Sequence, residues 1–233
     1  MADIILVHGA WHGGWCWRDV AADLRGRGHR VLVPTLTGMG ERVHLLSAET
    51  GVVQHAADIM AVAEAEEVRE ATLAVHSYGG MPGALATAHP AIARLVLVDA
   101  VPAVPGQSLL SGAPAEAVEA ARARLVSGGL ALPPLDPTEF DVPADHPGYP
   151  WVKRRLTPLP WRCLADELPA LPDRHAAVPK TYVEAAGNSL DGPRRGLAQA
   201  RAAGWPVVTI DSGHDLPVTA PAELAAVIDR LSR

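Results

Sequence analysis

A serine between a strand-like run and a helix-like run is the first residue in this chain with the setting of a nucleophile. Residues 71–75 are apolar, the sequence HSYGG follows at residues 76–80, and residues 81–89 have a helical pattern. A sharp strand-to-helix turn lifts its serine out of the backbone and faces it with the helix N-terminus. Small residues such as serine and glycine can also occur at such a turn only because a tight turn leaves little room for side chains. The pattern predicts that Ser77 does chemistry, although Val75 stands where the general motif has glycine.

Two other segments supply the remaining groups that acyl transfer requires. The apolar run 4–7 ends in a His-Gly turn, which can aim the backbone N–H of Ala10 at a developing oxyanion, with the N–H of Tyr78 as the second donor. His214 follows the apolar run 207–210 and can accept the proton of Ser77. This chain order of oxyanion turn, serine and histidine is the order of α/β-hydrolases.

Three motifs together resemble the small α/β-hydrolases that include plant salicylate methylesterases, hydroxynitrile lyases and many actinobacterial esterases. They are HGAWHGGWCW at residues 8–17, HSYGG at residues 76–80 and LTPLP at residues 156–160. The resemblance spans nearly the whole chain and implies a carboxylic-ester hydrolase with a short cap. Hydroxynitrile lyases of the family carry a threonine and a lysine where this chain has Gly9 and Asp215, so the resemblance favours the esterases.

The acid of the catalytic triad is where this chain departs from the family. The resemblance places the acid just past the strand after the cap, and Asn188 occupies that position. An amide can orient an imidazole but does not stabilise the imidazolium as a carboxylate does. Asp99 at the end of the run 95–98 is one alternative, with a structural role as its other interpretation, and Asp191 is a second. The third is a site without a carboxylate, in which Ser77 and His214 act with Asn188.

The elements that must position these groups alternate between strand and helix patterns. The alternation predicts an α/β-hydrolase fold, with a minimal six-stranded, mostly parallel sheet and helices on both faces. Strands are predicted at residues 4–7, 29–34, 71–75, 94–98, 180–185 and 207–211. Helices are predicted at residues 15–25, 52–65, 79–89, 192–203 and 221–231. The two antiparallel strands that begin longer α/β-hydrolases are expected to be absent, because the first strand already leads to the oxyanion turn.

Residues 101–178 interrupt this alternation with dense proline. So long a stretch is unusual as a simple connection, and we interpret it as a cap with short helices, such as residues 115–126, over a core of residues 1–100 and 179–233. Aromatic side chains near the site either pack the cap on the core or line an apolar substrate pocket. The pocket candidates are Trp11, His12, Phe140, Tyr149, Trp151 and Trp161.

Bulk composition fits one catalytic domain that acts on a small molecule. The 233 residues are 48 % hydrophobic and 20 % charged, and the net charge of −6 without a basic cluster argues against nucleic acid. Two cysteines give no disulfide framework, and no histidine pair has metal-ligand spacing, so neither a metal nor a cofactor is expected. Without an export signal or a membrane-length apolar run, we expect a cytoplasmic protein. The sequence leaves open whether it is a monomer or a homodimer.

Three functional hypotheses follow, in order of preference. The first is a serine hydrolase of a small or medium apolar ester, such as a methyl ester or lactone of an aromatic or polyketide acid from secondary metabolism. The second is a cofactor-independent lyase or cyclase that uses His214 for proton transfer, a possibility that Asn188 keeps open. The third is a binding protein with a relic site, against which the intact Ser77 and His214 argue.

Overall fold

In the computed structural model, which describes residues 1–233, eight strands and nine α-helices follow one another along the chain. The strands are β1 (Asp3–Val7), β2 (Arg30–Leu32), β3 (Ala71–His76), β4 (Ile92–Val98), β5 (Ala131–Leu132), β6 (Leu159–Pro160), β7 (Lys180–Ala185) and β8 (Val207–Ile210). The helices are α1 (Arg18–Gly26), α2 (Val52–Ala65), α3 (Gly80–Ala86), α4 (Ala115–Arg122), α5 (Tyr149–Lys153), α6 (Trp161–Ala165), α7 (Asp191–Ala202), α8 (Leu216–Thr219) and α9 (Pro221–Leu231). None of the helices is long and apolar enough to cross a membrane.

Six strands form one parallel sheet in the order β2-β1-β3-β4-β7-β8. The predicted minimal sheet of six mostly parallel strands, with helices on both faces, is confirmed. Every residue of β3 is buried, as expected for a central parallel strand that is covered on both faces. The chain crosses from β1 to one side for β2 and to the other side for β3, so a crevice opens between the carboxyl ends of β1 and β3. The first-strand turn and Ser77 leave the sheet at these two ends.

The core consists of two apolar clusters, one on each face of the sheet. Alternate residues of β1 point to opposite faces, so that Ile5 and Val7 belong to one cluster and Ile4 and Leu6 to the other. The first cluster includes buried side chains of α2 and α3, and the second includes those of α1 and α9. Both faces of the sheet are therefore covered, which fixes the strand ends that carry the candidate site.

Several predicted elements are shorter than expected. The strand predicted at residues 29–34 ends at Leu32, because β2 is an edge strand whose register with β1 stops there, and Pro34 has no N–H to continue it. The helix predicted at residues 79–89 ends at Ala86, where the hydroxyl of Thr87 donates to the carbonyl of Ala84 at 2.6 Å. The helix predicted at residues 115–126 ends at Arg122, before two glycines with positive φ.

One predicted helix begins differently from the expectation. Residues 15–25 were expected to be α-helical throughout, but Gly14–Trp17 is a 3₁₀ turn and α1 follows it directly. The Gly14 N–H donates to Thr35 Oγ1 at 2.7 Å, which ties the start of this turn to the segment after β2. The tight turn keeps the tryptophans of this segment next to the oxyanion turn.

The insertion between β4 and β7 contains α4, α5, α6 and the antiparallel pair β5–β6. It has an apolar cluster of its own, made of Phe140, Val152 and Leu156, against which Trp11 and Trp15 pack. The 3₁₀ turn Pro137–Phe140 is capped by Asp136, whose carboxylate accepts from the backbone N–H of Thr138. These contacts hold one part of the insertion against the oxyanion turn.

Candidate active site

Ser77 sits in a strained turn at the carboxyl end of β3. Its φ is +53°, in the left-handed region that non-glycine residues rarely adopt, and the 3₁₀ turn Ser77–Gly79 leads straight into α3. The turn is close-packed, because a Cβ on Gly80 would lie 2.7 Å from the carbonyl oxygen of Val101. Val75 is accommodated by Gly83 of α3, where a Cβ would lie 2.6 Å from Val75 Cγ1. The glycine missing upstream of Ser77 is thus compensated by one on the facing helix.

Three side chains from three strand ends form a continuous hydrogen-bonded chain. His214 Nε2 lies 2.9 Å from Ser77 Oγ, and His214 Nδ1 lies 2.7 Å from Asp99 Oδ2. His214 and Asp99 are each 2 % exposed. The Asp99 carboxylate also accepts a hydrogen bond from the backbone N–H of Ala185 at 3.3 Å, and the backbone N–H of Asp99 donates to the carbonyl of Val183 at 2.7 Å. This arrangement can move a proton from the serine to the imidazole and stabilise the imidazolium that results.

Asn188 and Asp191 do not reach His214. The amide of Asn188 closes a local turn, since its Nδ2 donates to the Leu190 carbonyl at 3.1 Å and its Oδ1 accepts from the Leu190 N–H at 2.7 Å. Asp191 begins α7 with its side chain 87 % exposed and lies 3.5 Å from Arg194. Of the three alternatives considered from the sequence, Asp99 is the one whose side chain the fold brings to the imidazole.

Asp141, which the sequence did not single out, buttresses the His214 loop from the insertion. Its Oδ2 accepts from the backbone N–H of His214 at 3.3 Å and from that of Ser189 at 3.0 Å. Its φ is +58°, and a Cβ on Gly213 would lie 2.5 Å from Asp141 Cβ. Seventy-three residues separate Asp141 from His214, so no local pattern could have revealed this contact.

The predicted oxyanion turn is held by His8. The Nδ1–H of His8 donates to the carbonyl of Gly9 at 2.8 Å, and its Nε2 accepts from the backbone N–H of Leu36 at 3.0 Å. Burial lowers the pKa of His8 to about 3, so the ring is neutral, as this pair of bonds requires. The Gly9 carbonyl and the Ala10 N–H belong to the same peptide unit, and the Ala10 N–H has no acceptor within the protein. A Cβ on Gly9 would lie 2.9 Å from Ser77 Cβ, so the turn approaches the serine closely.

The side chain of Tyr78 anchors the turn after the serine. It is 1 % exposed, and its hydroxyl donates to His55 Nδ1 at 2.9 Å. The Nε2–H of His55 donates in turn to the carbonyl of Thr37 at 2.8 Å. Burial lowers the pKa of His55 to about 4, which is consistent with a neutral ring that accepts from the tyrosine. The backbone of Tyr78, which carries the second predicted oxyanion donor, is therefore fixed from the core.

Two further buried imidazoles bind the backbone around the site. His76 Nε2–H donates to the carbonyl of His214 at 2.9 Å, and burial lowers the pKa of His76 to about 3. His12 Nδ1 lies 2.7 Å from the Ala10 carbonyl oxygen, and its Nε2 lies 3.3 Å from Asp215 Oδ2. The backbone on both sides of the candidate catalytic groups is thus held by histidine side chains.

A cavity of about 210 Å³ opens beside Ser77. It is lined by Gly9, Ala10, Trp11, His12, His76, Ser77, Leu135, Glu139, Phe140, Leu190 and His214. Three of the predicted pocket residues, Trp11, His12 and Phe140, are in this lining. The lining contains no lysine or arginine, and Glu139 is its single carboxylate.

The other three predicted pocket residues do not line this cavity. The Tyr149 hydroxyl donates to Asp136 at 2.9 Å. Trp151 packs edge-on against Trp15, with ring centroids 5.0 Å apart, and Trp161 packs on the core beneath the guanidinium of Arg122. Trp151 and Trp161 therefore pack the insertion on the core, one of the two roles that the sequence left open, whereas the hydroxyl of Tyr149 makes its hydrogen bond within the insertion.

No group of three or more His, Cys, Asp or Glu side chains in the chain is arranged to hold a metal ion. Both cysteines, Cys16 and Cys163, are buried and free. Burial raises the pKa of the Cys163 thiol to about 12, so this thiol is not a second nucleophile at neutral pH.

Comparison of the sequence with known proteins finds similarity to hydrolases. The sequence matches a model of the alpha/beta hydrolase family over residues 4–227. It is 38 % identical to the carbendazim hydrolyzing esterase of Nocardioides sp. (strain SG-4G) over 240 residues, which cover 97 % of this chain and 97 % of that protein. It is 39 % identical to the pyrethroid hydrolase of Sphingobium wenxiniae over 111 residues, which cover 46 % of this chain and 38 % of that protein.

A solved structure shares the fold over its full length. An extracellular alpha/beta-hydrolase from a Paenibacillus species superposes with a TM-score of 0.83 and 21 % sequence identity, and the match covers 100 % of both chains. At this level of sequence identity the likeness concerns the fold alone.

Proposed function

The chain belongs to the alpha/beta hydrolase family and is a hydrolase enzyme of that type, and from this premise we propose that it cleaves a small, uncharged carboxylic ester through an acyl-enzyme on Ser77. The similarity to an esterase over nearly the whole chain supports ester hydrolysis as the reaction class. The observation that carries the proposal is the chain of hydrogen bonds from Ser77 Oγ through His214 to Asp99 at the wall of a cavity.

In the proposed mechanism, His214 Nε2 takes the proton of Ser77 as Oγ attacks the ester carbonyl carbon. The N–H groups of Ala10 and Tyr78 donate to the carbonyl oxygen as it becomes negative. Asp99 holds the Nδ1–H of the imidazole and stabilises its positive charge. The imidazolium then protonates the alkoxide leaving group, and an acyl-enzyme remains. Water, deprotonated by His214, attacks the acyl carbon, and the imidazolium returns this proton to Ser77 Oγ as the bond from Oγ to the acyl carbon breaks and the acid is released.

The lining of the cavity supports a small and uncharged substrate. Its volume of about 210 Å³ is below the roughly 300–1,000 Å³ of sites for drug-sized ligands. Trp11, Leu135, Phe140 and Leu190 give it an apolar surface that suits a short acyl chain or a single aromatic ring. Without a lysine or arginine to pair with, a carboxylate on the substrate would be repelled by Glu139. A methyl ester or lactone of an aromatic or polyketide acid, as found in secondary metabolism, fits these limits.

We also propose that residues 101–178 act as a cap over a core of residues 1–100 and 179–233. The support is that Leu135, Glu139 and Phe140 of this segment line the cavity together with Ser77. The cap side chains then select the substrate, whereas the core residues carry out the chemistry.

The alternative of a lyase or cyclase depended on Asn188 at the family's acid position. Because Asp99 Oδ2 lies 2.7 Å from His214 Nδ1, the site has a carboxylate for its imidazole, and this reason for the alternative is removed. Hydrolysis is therefore the single function we propose.

The proposal is tested by labelling the protein with a fluorophosphonate probe and by measuring hydrolysis of an uncharged aromatic methyl ester. We expect one label, on Ser77 when the peptides are mapped by mass spectrometry. Ser77→Ala should lose both the label and the turnover, whereas Ser47→Ala, a serine outside the cavity lining, should keep both. Turnover of Ser77→Ala at the wild-type rate would reject the proposal.

A further inference from the structure

A buried pair of side chains joins the oxyanion turn to the loop of the general base. His12 Nε2 lies 3.3 Å from Asp215 Oδ2, although 203 residues separate them in the chain. Asp215 follows His214 directly and its side chain is wholly buried, and His12 is 2 % exposed. The mechanism proposed above uses neither side chain, so the burial of two charge-bearing groups at this place needs another reason.

Both ring nitrogens of His12 face oxygen atoms that can only accept. Nδ1 faces the Ala10 carbonyl at 2.7 Å, and Nε2 faces the Asp215 carboxylate. Each nitrogen must carry a proton to make its bond, so the ring is an imidazolium and Asp215 is its counter-ion. Burial opposes this charge, but the Asp215 carboxylate and the Ala10 carbonyl outweigh burial and raise the pKa of His12.

The bond to the Ala10 carbonyl constrains the predicted oxyanion donor. The carbonyl and the N–H of Ala10 flank one α-carbon, and the next residue, Trp11, has a φ of +60°, which is unusual for a bulky side chain. A turn in this conformation persists where its surroundings impose it. At the other end of the pair, the backbone N–H of Asp215 donates to the carbonyl of Phe140 at 3.2 Å, which fixes the His214 loop against the insertion.

We propose that the His12–Asp215 pair is a positioning clamp, which holds the Ala10 turn and the His214 loop in one relative arrangement around the carbonyl that Ser77 attacks. The inference rests on the proposed esterase function. His12 acts through Ala10 and Asp215 rather than on the substrate, because both of its protons are engaged. A neutral imidazole has one N–H and could keep only one of these two partners, so the clamp works only while His12 is protonated.

Four other titratable groups face the pair. His8 and His76 are neutral, since burial lowers the pKa of each to about 3. Cys16 is a buried thiol whose pKa is raised by burial. His214 is bonded to Asp99 and Ser77. The imidazolium of His12 therefore has the Asp215 carboxylate as its one buried ion-pair partner.

Asp215→Asn tests the clamp while it preserves the shape of the site. The amide oxygen still accepts a hydrogen bond but carries no charge, so His12 should lose its extra proton at a lower pH than in the wild type. We expect kcat for the uncharged methyl ester to fall roughly 10- to 100-fold at pH 8, the scale of a misplacement of about 1 Å in a catalytic site. We expect KM to change by less than about threefold and part of the loss to be recovered toward pH 6, which a merely structural role would not produce.

A second buried histidine–aspartate pair is the matched control. His29 Nε2 lies 2.8 Å from Asp229 Oδ1 at the amino end of the sheet, away from Ser77. Asp229→Asn should lower Tm and leave kcat and its pH profile unchanged. If Asp215→Asn behaves like this control, or retains wild-type kcat at pH 8, the clamp is rejected.

Two further measurements keep the inference testable if Asp215→Asn does not fold. The ¹⁵N NMR spectrum of histidine-labelled wild type at pH 7 should contain the signals of a ring with both nitrogens protonated that are absent from the spectrum of His12→Gln. A neutral His12 in that spectrum would overturn the clamp. Fluorophosphonate labelling separates the two proposals, since an unlabelled Ser77 in the wild type rejects the esterase, whereas a labelled Ser77 with a neutral His12 rejects the clamp alone.

Discussion

Backbone strain is concentrated at the candidate site. Six residues other than glycine have positive φ, and four of them, Trp11, Ser77, Asp99 and Asp141, belong to the site or contact it. Each such residue costs on the order of 1–3 kcal/mol and persists where the surrounding structure imposes it. The clustering supports the proposal that the fold places these residues for reaction rather than for stability.

The first prediction at the scale of residues concerns the imidazole of His214. His214→Ala should lower kcat by roughly 10⁴ to 10⁶, as the loss of a triad histidine does in serine hydrolases, because His214 Nε2 is the imidazole nitrogen that is hydrogen-bonded to Ser77 Oγ. Circular dichroism and Tm should show a folded protein. A variant that keeps a kcat within tenfold of the wild type would remove His214 from the mechanism.

The acceptor that holds the His214 loop gives the second prediction. Asp141→Ala should lower kcat about tenfold, since the His214 backbone loses a buttress and a strained φ of +58° is left to a residue that disfavours it. Asp141→Asn, which keeps one acceptor oxygen and tolerates that φ, should have a smaller effect. Equal kcat in the wild type and both variants would show that Asp141 has no positioning role.

At the scale of elements, the turn between β3 and α3 depends on close packing of the helix N-terminus. Gly80→Ala should destabilise the protein by about 1–3 kcal/mol, because its Cβ would meet the Val101 carbonyl at 2.7 Å and the backbone would have to shift. The shift should also displace Ser77 and lower kcat. Urea unfolding measures the first effect and ester turnover the second.

Gly26 at the end of α1 is the control for that substitution. A Cβ there would have no neighbour within 4 Å, so Gly26→Ala should stabilise the protein by about 0.5–1 kcal/mol through helix propensity and leave kcat unchanged. If Gly80→Ala were as harmless as Gly26→Ala, the close-packed turn would not be essential.

The six strands and the longer helices could be predicted from the sequence, because apolar runs alternate with helical patterns. Ser77, Asp99 and His214 could be identified as candidates for the same reason, since each follows one of those apolar runs at the carboxyl edge of the sheet. The contact of His12 with Asp215 and that of Asp141 with His214 cross 203 and 73 residues, so no local spacing reveals them. The places of Tyr149 and Trp151 depended on the path of a proline-rich segment, which periodicity does not determine.

At the scale of the whole molecule, three buried neutral histidines make stability sensitive to acid. Burial lowers the pKa of His8 and of His76 to about 3 and that of His55 to about 4. Below the unfolded value of about 6.5, the unfolded chain binds protons at these residues while the native state does not. The stability they contribute is present above about pH 6.5 and is lost as the pH falls toward 4.

The free energy of unfolding should therefore fall by about 4 kcal/mol per pH unit between roughly pH 6 and pH 4, at about 1.4 kcal/mol for each of the three groups. His12, whose pKa is raised, acts in the opposite direction, because its contribution is present at low pH and is lost as the pH rises through its folded pKa. Maximum stability is expected near neutral pH. Urea unfolding at several pH values measures the slope, and a flat profile from pH 7 to pH 4 would contradict the neutral buried imidazoles.

The central claim, that Asp99 is the carboxylate of a Ser77–His214 esterase, is tested most directly by two single variants on one unactivated methyl ester. Asp99→Asn should lower kcat roughly 10³- to 10⁴-fold, because the amide favours the wrong imidazole tautomer and cannot stabilise the imidazolium. Asn188→Asp should leave kcat near the wild-type value, since the side chain of residue 188 is hydrogen-bonded to the backbone of Leu190 and not to His214. The opposite result, full activity in Asp99→Asn and a large gain in Asn188→Asp, would contradict the account.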